Sequence, residues 1–103
     1  YDLTLQIYAI SKKFPKEELF GLTSQIRRAS VSIPSNIAEG SARAGTKEFI
    51  QFLRIAYGSG AELETQLLLC KDLSLINEKE YTTISLLLTE IMKMLNSLMA
   101  KLN

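Results

Sequence analysis

Few side chains in this chain are equipped for chemistry. Glu39, Glu48, Glu62 and Glu64 are the carboxylates nearest its most patterned segment, and the 103 residues hold no histidine and one cysteine. Without histidine there is no imidazole base, no usual zinc ligand and no Glu-x-x-His pair of the di-iron kind. A metal held by carboxylates alone would need an all-oxygen shell. The helix register derived below gives Glu48 and Glu62 arginine partners instead. The expectation is a protein with no catalytic residue, no metal site and no cofactor. Cys70 has no second cysteine to pair with and falls at a helical core position, where it reads as a small buried hydrophobe.

Phosphate recognition is the other chemistry within reach. Arg27, Arg43, Lys47 and Arg54 lie near one helical hairpin, and Lys12, Lys13 and Lys16 lie at an earlier bend. On the helical wheel Arg27 and Arg54 are expected to point outward and Arg28 inward. The totals temper this reading. Twelve basic and eleven acidic residues leave a net charge of +1, not the broad excess of a typical nucleic-acid binder. Solvated surface charges with local partners such as Glu39 and Glu17 are the competing interpretation.

These residues need elements to hold them. With 47% hydrophobic residues and only five glycines and two prolines, the chain is expected to fold as one domain. Four stretches carry helical periodicity. Leu3, Ile7, Ile10 and Phe14 mark the first, which Pro15 ends; PKEE then resembles a helical first turn. The second starts near Leu22, with Ile26, Ala29, Ile33 and Ile37 on its stripe and Gly45 beyond its end. The third opens at Thr46, a candidate N-cap. It carries Phe49, Leu53, Ala56, Gly60, Leu63, Leu67 and Cys70, and ends near Ser74. Asn77 and Glu80 form a capping box for the fourth, with Ile76 and Tyr81 as its hydrophobic staple. Short connections make this an all-α, antiparallel up-down-up-down four-helix bundle.

A tight turn at Gly45 means that facing residues of helices two and three have numbers summing to about 90. Leu22 then meets Leu67, Ala29 meets Gly60, Ile33 meets Ala56 and Ile37 meets Leu53. The polar positions match as well: Gln25 with Gln66, Arg28 with Glu62, Ser32 with Ser59, and Arg43 with Glu48. Gly60 against Ala29 would let two backbones approach closely, offsetting a helix-propensity loss of about 1 kcal/mol. A partly buried Arg28–Glu62 pair would fix register more than add stability.

Pro34 lies within helix two and projects beside its stripe. The helix can continue through it by bending, which leaves the carbonyl of Ser30 without its usual donor. Ser32, Ser35 and Asn36 stand near that turn. Two readings follow: a kink that wraps helix two round its partner, or one that opens a polar pocket at Ser32, Asn36 and Glu39.

The run FPKEELFGLTSQIRRASVSIPSNIAEGSARAGTKEFIQFLRIAYGSGAELETQL resembles a bacterial family of four-helix bundles. Its members are encoded by intervening sequences in 23S ribosomal RNA genes and are often labelled a ribosomal protein family. The resemblance is carried by Phe14-Pro15, Gly21-Leu22, Gln25, Arg27 to Ala29, Ser32 to Gly40, Arg43, Glu48-Phe49, Phe52-Leu53, Ala56, Gly58-Ser59 and Glu62 to Leu67. Gly60 stands where a larger apolar residue is expected. The resemblance implies an up-down bundle assembled into a ring, a homopentamer. It also implies similarity to accessory proteins of diversity-generating retroelements, which bind a reverse transcriptase and nucleic acid. Those relatives are strongly basic, and this chain is not.

Surplus apolar positions agree with self-association. Helix three carries Ile50, Tyr57, Ala61 and Leu68 on a second face, and helix four has an apolar arc wider than one seam needs. A closed ring would bury two different patches per subunit. No apolar run approaches the roughly 18 residues of a membrane span and no signal peptide is visible, so a cytoplasmic location is expected. The chain opens on Tyr1, and the true N-terminus is expected upstream. The sequence thus points to a non-enzymatic oligomeric bundle without membrane or small-molecule substrate. Its partners are itself and either structured RNA or a nucleic-acid-handling protein; a protein scaffold without RNA contact is the alternative.

Overall fold

A computed structural model describes all 103 residues. Four α-helices follow in order: α1 (Asp2–Ser11), α2 (Leu22–Ser41), α3 (Thr46–Asp72) and α4 (Glu78–Leu102). A 3₁₀ turn, Lys16–Glu18, lies between the first two. Each helix packs on its chain neighbours, and α1 also lies against α4, the cyclic contact pattern of an up-down bundle. The core is one cluster to which all four helices contribute. Ile7, Ile26, Leu53, Leu63 and Ile84 are among its fully buried members, and Cys70 lies within it.

The helix ends follow local chemistry. Asn77 accepts a hydrogen bond from the Glu80 backbone N–H at 2.7 Å, and Glu80 Oε1 accepts one from the Asn77 N–H at 3.0 Å. The expected capping box is therefore present. At the end of α3, Ser74 adopts φ 63°, so the Leu75 and Ser74 N–H groups reach the Cys70 and Lys71 carbonyls at 2.9 and 3.0 Å. This satisfies carbonyls that a helix end leaves free. Two boundaries differ from expectation. α1 stops at Ser11, because Phe14 turns into the core through a bond from its N–H to the Ser11 carbonyl. Gly45 caps α3 by position, and Thr46 is already inside the helix with no side-chain cap.

α4 contradicts one expectation. It is long and apolar enough by composition to cross a membrane, with an 18-residue window of mean hydropathy 1.2. In this fold it is a bundle helix. Ile84, Leu88, Met92 and Leu95 are buried in the protein core, while Glu90 and Lys93 stay exposed at mid-helix. A mid-helix lysine would cost about 2.5–3.5 kcal/mol in lipid, whereas water accepts it.

Candidate functional site

α2 has one neighbour on each flank, and the two flanks are built differently. Towards α3 the expected polar ladder forms in part. Ser59 Oγ donates to Ser32 Oγ at 2.8 Å, and Gln66 Nε2 donates to Gln25 Oε1 at 3.4 Å. Asn36 Nδ2 donates to the Ser32 carbonyl and hydroxyl at 2.7 and 2.9 Å. These pairs keep the predicted register. Ser32 and Asn36 bond to each other and, with Ser35, line an open groove on the outer face of α2, while Glu39 turns out to solvent and takes no part in it.

Two predicted ion pairs are absent. Arg28 and Glu62 both lie exposed on outward helix faces, and Arg28 Nη2 donates to Gln25 Oε1, one turn back, at 3.3 Å. Long side chains at such positions keep their charge hydrated at less cost than they would meet in a seam. Arg43 lies beyond the end of α2, where its nearest carboxylate is Glu39 at 3.5 Å and its guanidinium rests 5.2 Å over the Phe52 ring. Glu48 is left exposed without an ion pair.

The glycines correct a further expectation. Gly60 is buried, but a Cβ there would overlap the Met92 sulfur of α4, so the space it leaves serves α4 and not Ala29 of α2. The close approach of α2 to α3 is at Gly40, where a Cβ would stand 2.6 Å from Phe52 Cβ. Gly40 continues the stripe of α2 three residues after Ile37, but as a glycine it was not counted among the apolar positions.

The flank of α2 towards α1 explains Pro34. α2 runs unbroken through it, and the Ser30 carbonyl, which proline deprives of its donor, accepts a hydrogen bond from Thr4 Oγ1 of α1 at 3.0 Å. The missing backbone bond is thereby replaced by one that docks a neighbouring helix. Arg27 belongs to the same flank, against the expectation that it points outward. It is half-buried, its Nε donates to Ser11 Oγ at 2.8 Å, and its guanidinium stacks 4.8 Å over Tyr8. Lys13 pairs with Glu80, tying the end of α1 to the start of α4. None of these three contacts follows from wheel geometry within one helix, since each needs the placement of α1.

Among the phosphate candidates, then, Arg27 and Arg43 are engaged, while Lys47 and Arg54 are exposed with no carboxylate within 4.0 Å. These two are seven residues apart and share an outward strip of α3. The self-association candidates divide likewise. Ile50 is buried, and Tyr57 is half-buried with its hydroxyl accepting from Asn96 Nδ2 at 3.3 Å. Ala61 and Leu68 are exposed.

A groove of about 780 Å³ runs along the outer face of α2 from its first turn. Tyr8, Phe20, Arg27, Arg28, Ser32 and Asn36 are among its lining residues. No group of three His, Cys, Asp or Glu side chains gathers anywhere in the molecule. Two titratable groups depart from ordinary behaviour. Burial, assisted by Glu18, pushes the Cys70 thiol up to about 11. The Lys13 hydrogen bond, followed by the Asn77 backbone N–H, holds Glu80 below the ordinary carboxylate value.

The helix order and the α2–α3 ladder carry the resemblance noted in the sequence, and direct comparison decides it. The profile of the 23S rRNA-intervening sequence proteins matches residues 1–97. The chain belongs to this family. A crystal structure similar to it is that of a protein of unknown function from the S23 ribosomal protein family of Bacteroides thetaiotaomicron VPI-5482. It is 30% identical with a TM-score of 0.89, and the match covers 96% of this chain and 89% of that one. No curated protein matches the sequence. The family thus brings a fold, with no described activity.

Proposed function

We propose that this family member is a non-catalytic scaffold that self-associates through the outer faces of α3 and α4. The supporting observation is a set of large leucines left in water on α3 and α4. Leu68, Leu69 and Leu73 are 44%, 47% and 53% exposed near the end of α3, and Leu86 of α4 is 63% exposed. With Gly60 packed on Met92, the antiparallel register brings Leu86 level with Gln66, within about one turn of Leu68 and Leu69. Isolated surface leucines are ordinary, but a cluster of large ones marks a contact surface. Leu5 and Val31, on the opposite α1–α2 side, supply the different second patch that a closed ring requires. Five copies is the number that the resemblance implies. Sedimentation equilibrium at micromolar concentration tests the proposal: the expected mass is a multiple of one chain, reduced to a single chain by Leu68→Glu with Leu86→Glu. A wild-type mass equal to one chain overturns it.

RNA contact is a second reading, favoured by the unpaired Lys47 and Arg54 on one strip of α3. Repetition of that strip around an assembly would give multivalent phosphate contact. It predicts affinity for structured RNA that falls steeply with salt and weakens in Lys47→Ala with Arg54→Ala. Undetectable binding at low salt, beside an intact assembly, leaves a scaffold for protein partners.

A further inference from the structure

We infer that the outer groove of α2 receives the Leu68–Leu86 face of a second copy of this chain, with Glu64 of that copy against Arg28. The inference rests on the self-association proposed above and names the surface on which the leucines land. The groove, of about 780 Å³, has Tyr8, Leu19, Phe20 and Val31 as its apolar lining. All four are exposed in the single chain, and Phe20 is 93% exposed, forgoing the burial that a phenylalanine normally finds. A concave surface holding several large apolar side chains in water marks a contact surface, and its charge and its height on the bundle say for what.

Charge selects the partner's chemistry. Arg27 and Arg28 are the charged residues of the groove, and no carboxylate lines it. Neither arginine has a carboxylate within 4.0 Å, and the polar partner of Arg28 is neutral Gln25. Glu18 lies beside Gly21, so the place for an incoming carboxylate is about two turns further along α2, at the arginines. The leucine face carries the opposite sign. Glu64 is exposed and in no ion pair, one turn before Leu68 on the same side of α3, and Glu62 and Asp72 are likewise exposed and unpaired. Apolar burial would hold such an interface, and the charges would orient it.

The two surfaces also stand at one height. The α2–α3 register held by Ser32–Ser59 and Gln25–Gln66 puts Glu64 level with Arg27 and Leu68 level with Thr23. Leu86, level with Gln66, is level with Gln25 as well. A copy turned about the long axis of the bundle therefore meets its neighbour, leucine face to groove, without sliding along it. Rotation without a climb is the condition for a closed ring, whereas an offset would give an open filament. α2 and α4 stand diagonally in the bundle, so the groove and Leu86 face apart and one chain cannot fill its own groove.

Two variants that each lose one surface supply the test. Phe20→Asp spoils the groove and keeps the leucine face; Leu68→Glu with Leu86→Glu spoils the leucine face and keeps the groove. The substituted residues are exposed, so each variant retains its fold, which circular dichroism checks. At a concentration where the wild type is fully assembled, each variant alone is expected to sediment as one chain. An equimolar mixture is expected to sediment as a pair, because one intact groove meets one intact face and no surface remains for a third copy. Arg28→Glu should weaken the wild-type assembly about tenfold at low salt and less at high salt, and adding Glu64→Arg to it should restore the assembly. A Phe20→Asp chain that keeps the wild-type mass, or a mixture that stays at one chain, overturns the docking and leaves the self-association standing. A wild-type mass of one chain overturns both.

Discussion

The two flanks of α2 solve the same packing problem by opposite means. Against α3, helix meets helix over a long ladder, with Gly40 admitting Phe52 and the Ser32, Ser59 and Asn36 groups closing on one another. Against α1, a helix of ten residues buries Leu3, Ile7 and Ile10 in the common core and adds a few specific contacts: Thr4 to Ser30, Ser11 to Arg27, and Lys13 to Glu80 across to α4. The first flank is closed and tolerates no added atom. The second adds single polar clasps to that burial, each removable at modest cost, and it borders the outer groove of α2. Rigid register on one side leaves the other free to differ, which is where a binding function disturbs the fold least.

The sharpest break in that contrast is at glycine. Gly40→Ala puts a methyl against the Phe52 and Phe49 side chains at 2.6 and 3.0 Å, and the Phe52 contact is at its rigid Cβ. Even after the gain in helix propensity, the expected loss is about 2 kcal/mol, a fall in Tm of about 10 °C by calorimetry. Gly60→Ala meets only the flexible end of Met92, which swings aside, so its loss is expected to be under about 1 kcal/mol. Equal losses at the two sites would place the tight approach elsewhere.

A smaller effect tests the clasp at Pro34. Thr4→Val keeps the shape but leaves the Ser30 carbonyl without a donor, for an expected loss of about 1.5 kcal/mol in urea unfolding. In a Pro34→Ala background the backbone N–H gained at that position restores the ordinary helical bond, and the same Thr4→Val change should then cost only a few tenths of a kcal/mol, roughly. Additive effects of the two substitutions would mean that Thr4 acts for another reason.

The same contrast sorts what the sequence could tell. The bundle, its helix order and the capping box at Asn77 were legible, because periodicity and capping are local. The register of α2 on α3 was legible too, since a short turn makes facing positions calculable and Gln25, Ser32, Ser59 and Gln66 obeyed it. Arg28 and Glu62 did not, because complementary charges at facing positions do not overcome hydration when both side chains leave the seam. Thr4, Ser11, Arg27 and Lys13 were out of reach: their partners depend on how α1 lies after a bend, which no period encodes. The first-turn groove was invisible for a related reason. Phe20 reads as one more apolar residue until the bend at Lys16–Glu18 leaves it in water.

Double-mutant cycles carry this sorting to smaller energies. Ser32→Ala with Ser59→Ala should show a coupling of about 1 kcal/mol, and Arg28→Ala with Glu62→Ala a coupling near zero, roughly within 0.3 kcal/mol. A measurable Arg28–Glu62 coupling would return charge complementarity to the seam and remove Arg28 from the groove.

The smallest effect is electrostatic and belongs to the clasp between α1 and α4. Glu80 is held below its ordinary value of 4.5 first by the Lys13 side chain and then by the Asn77 N–H. A lowered carboxylate pKa means that the folded state releases this proton more readily than the unfolded one. The resulting stability is present above the ordinary value and is lost as pH falls through the folded one. Lys13 is 58% exposed, so solvent and salt weaken its share. Lys13→Ala should therefore flatten the acid side of the stability profile slightly, below about pH 4.5, while leaving the portion due to the Asn77 cap. Glu80→Gln should flatten it further. If Lys13→Ala and the parent chain lose stability identically between about pH 5 and pH 3, the pair contributes nothing and the polar clasps on α1 reduce to those of Thr4 and Ser11.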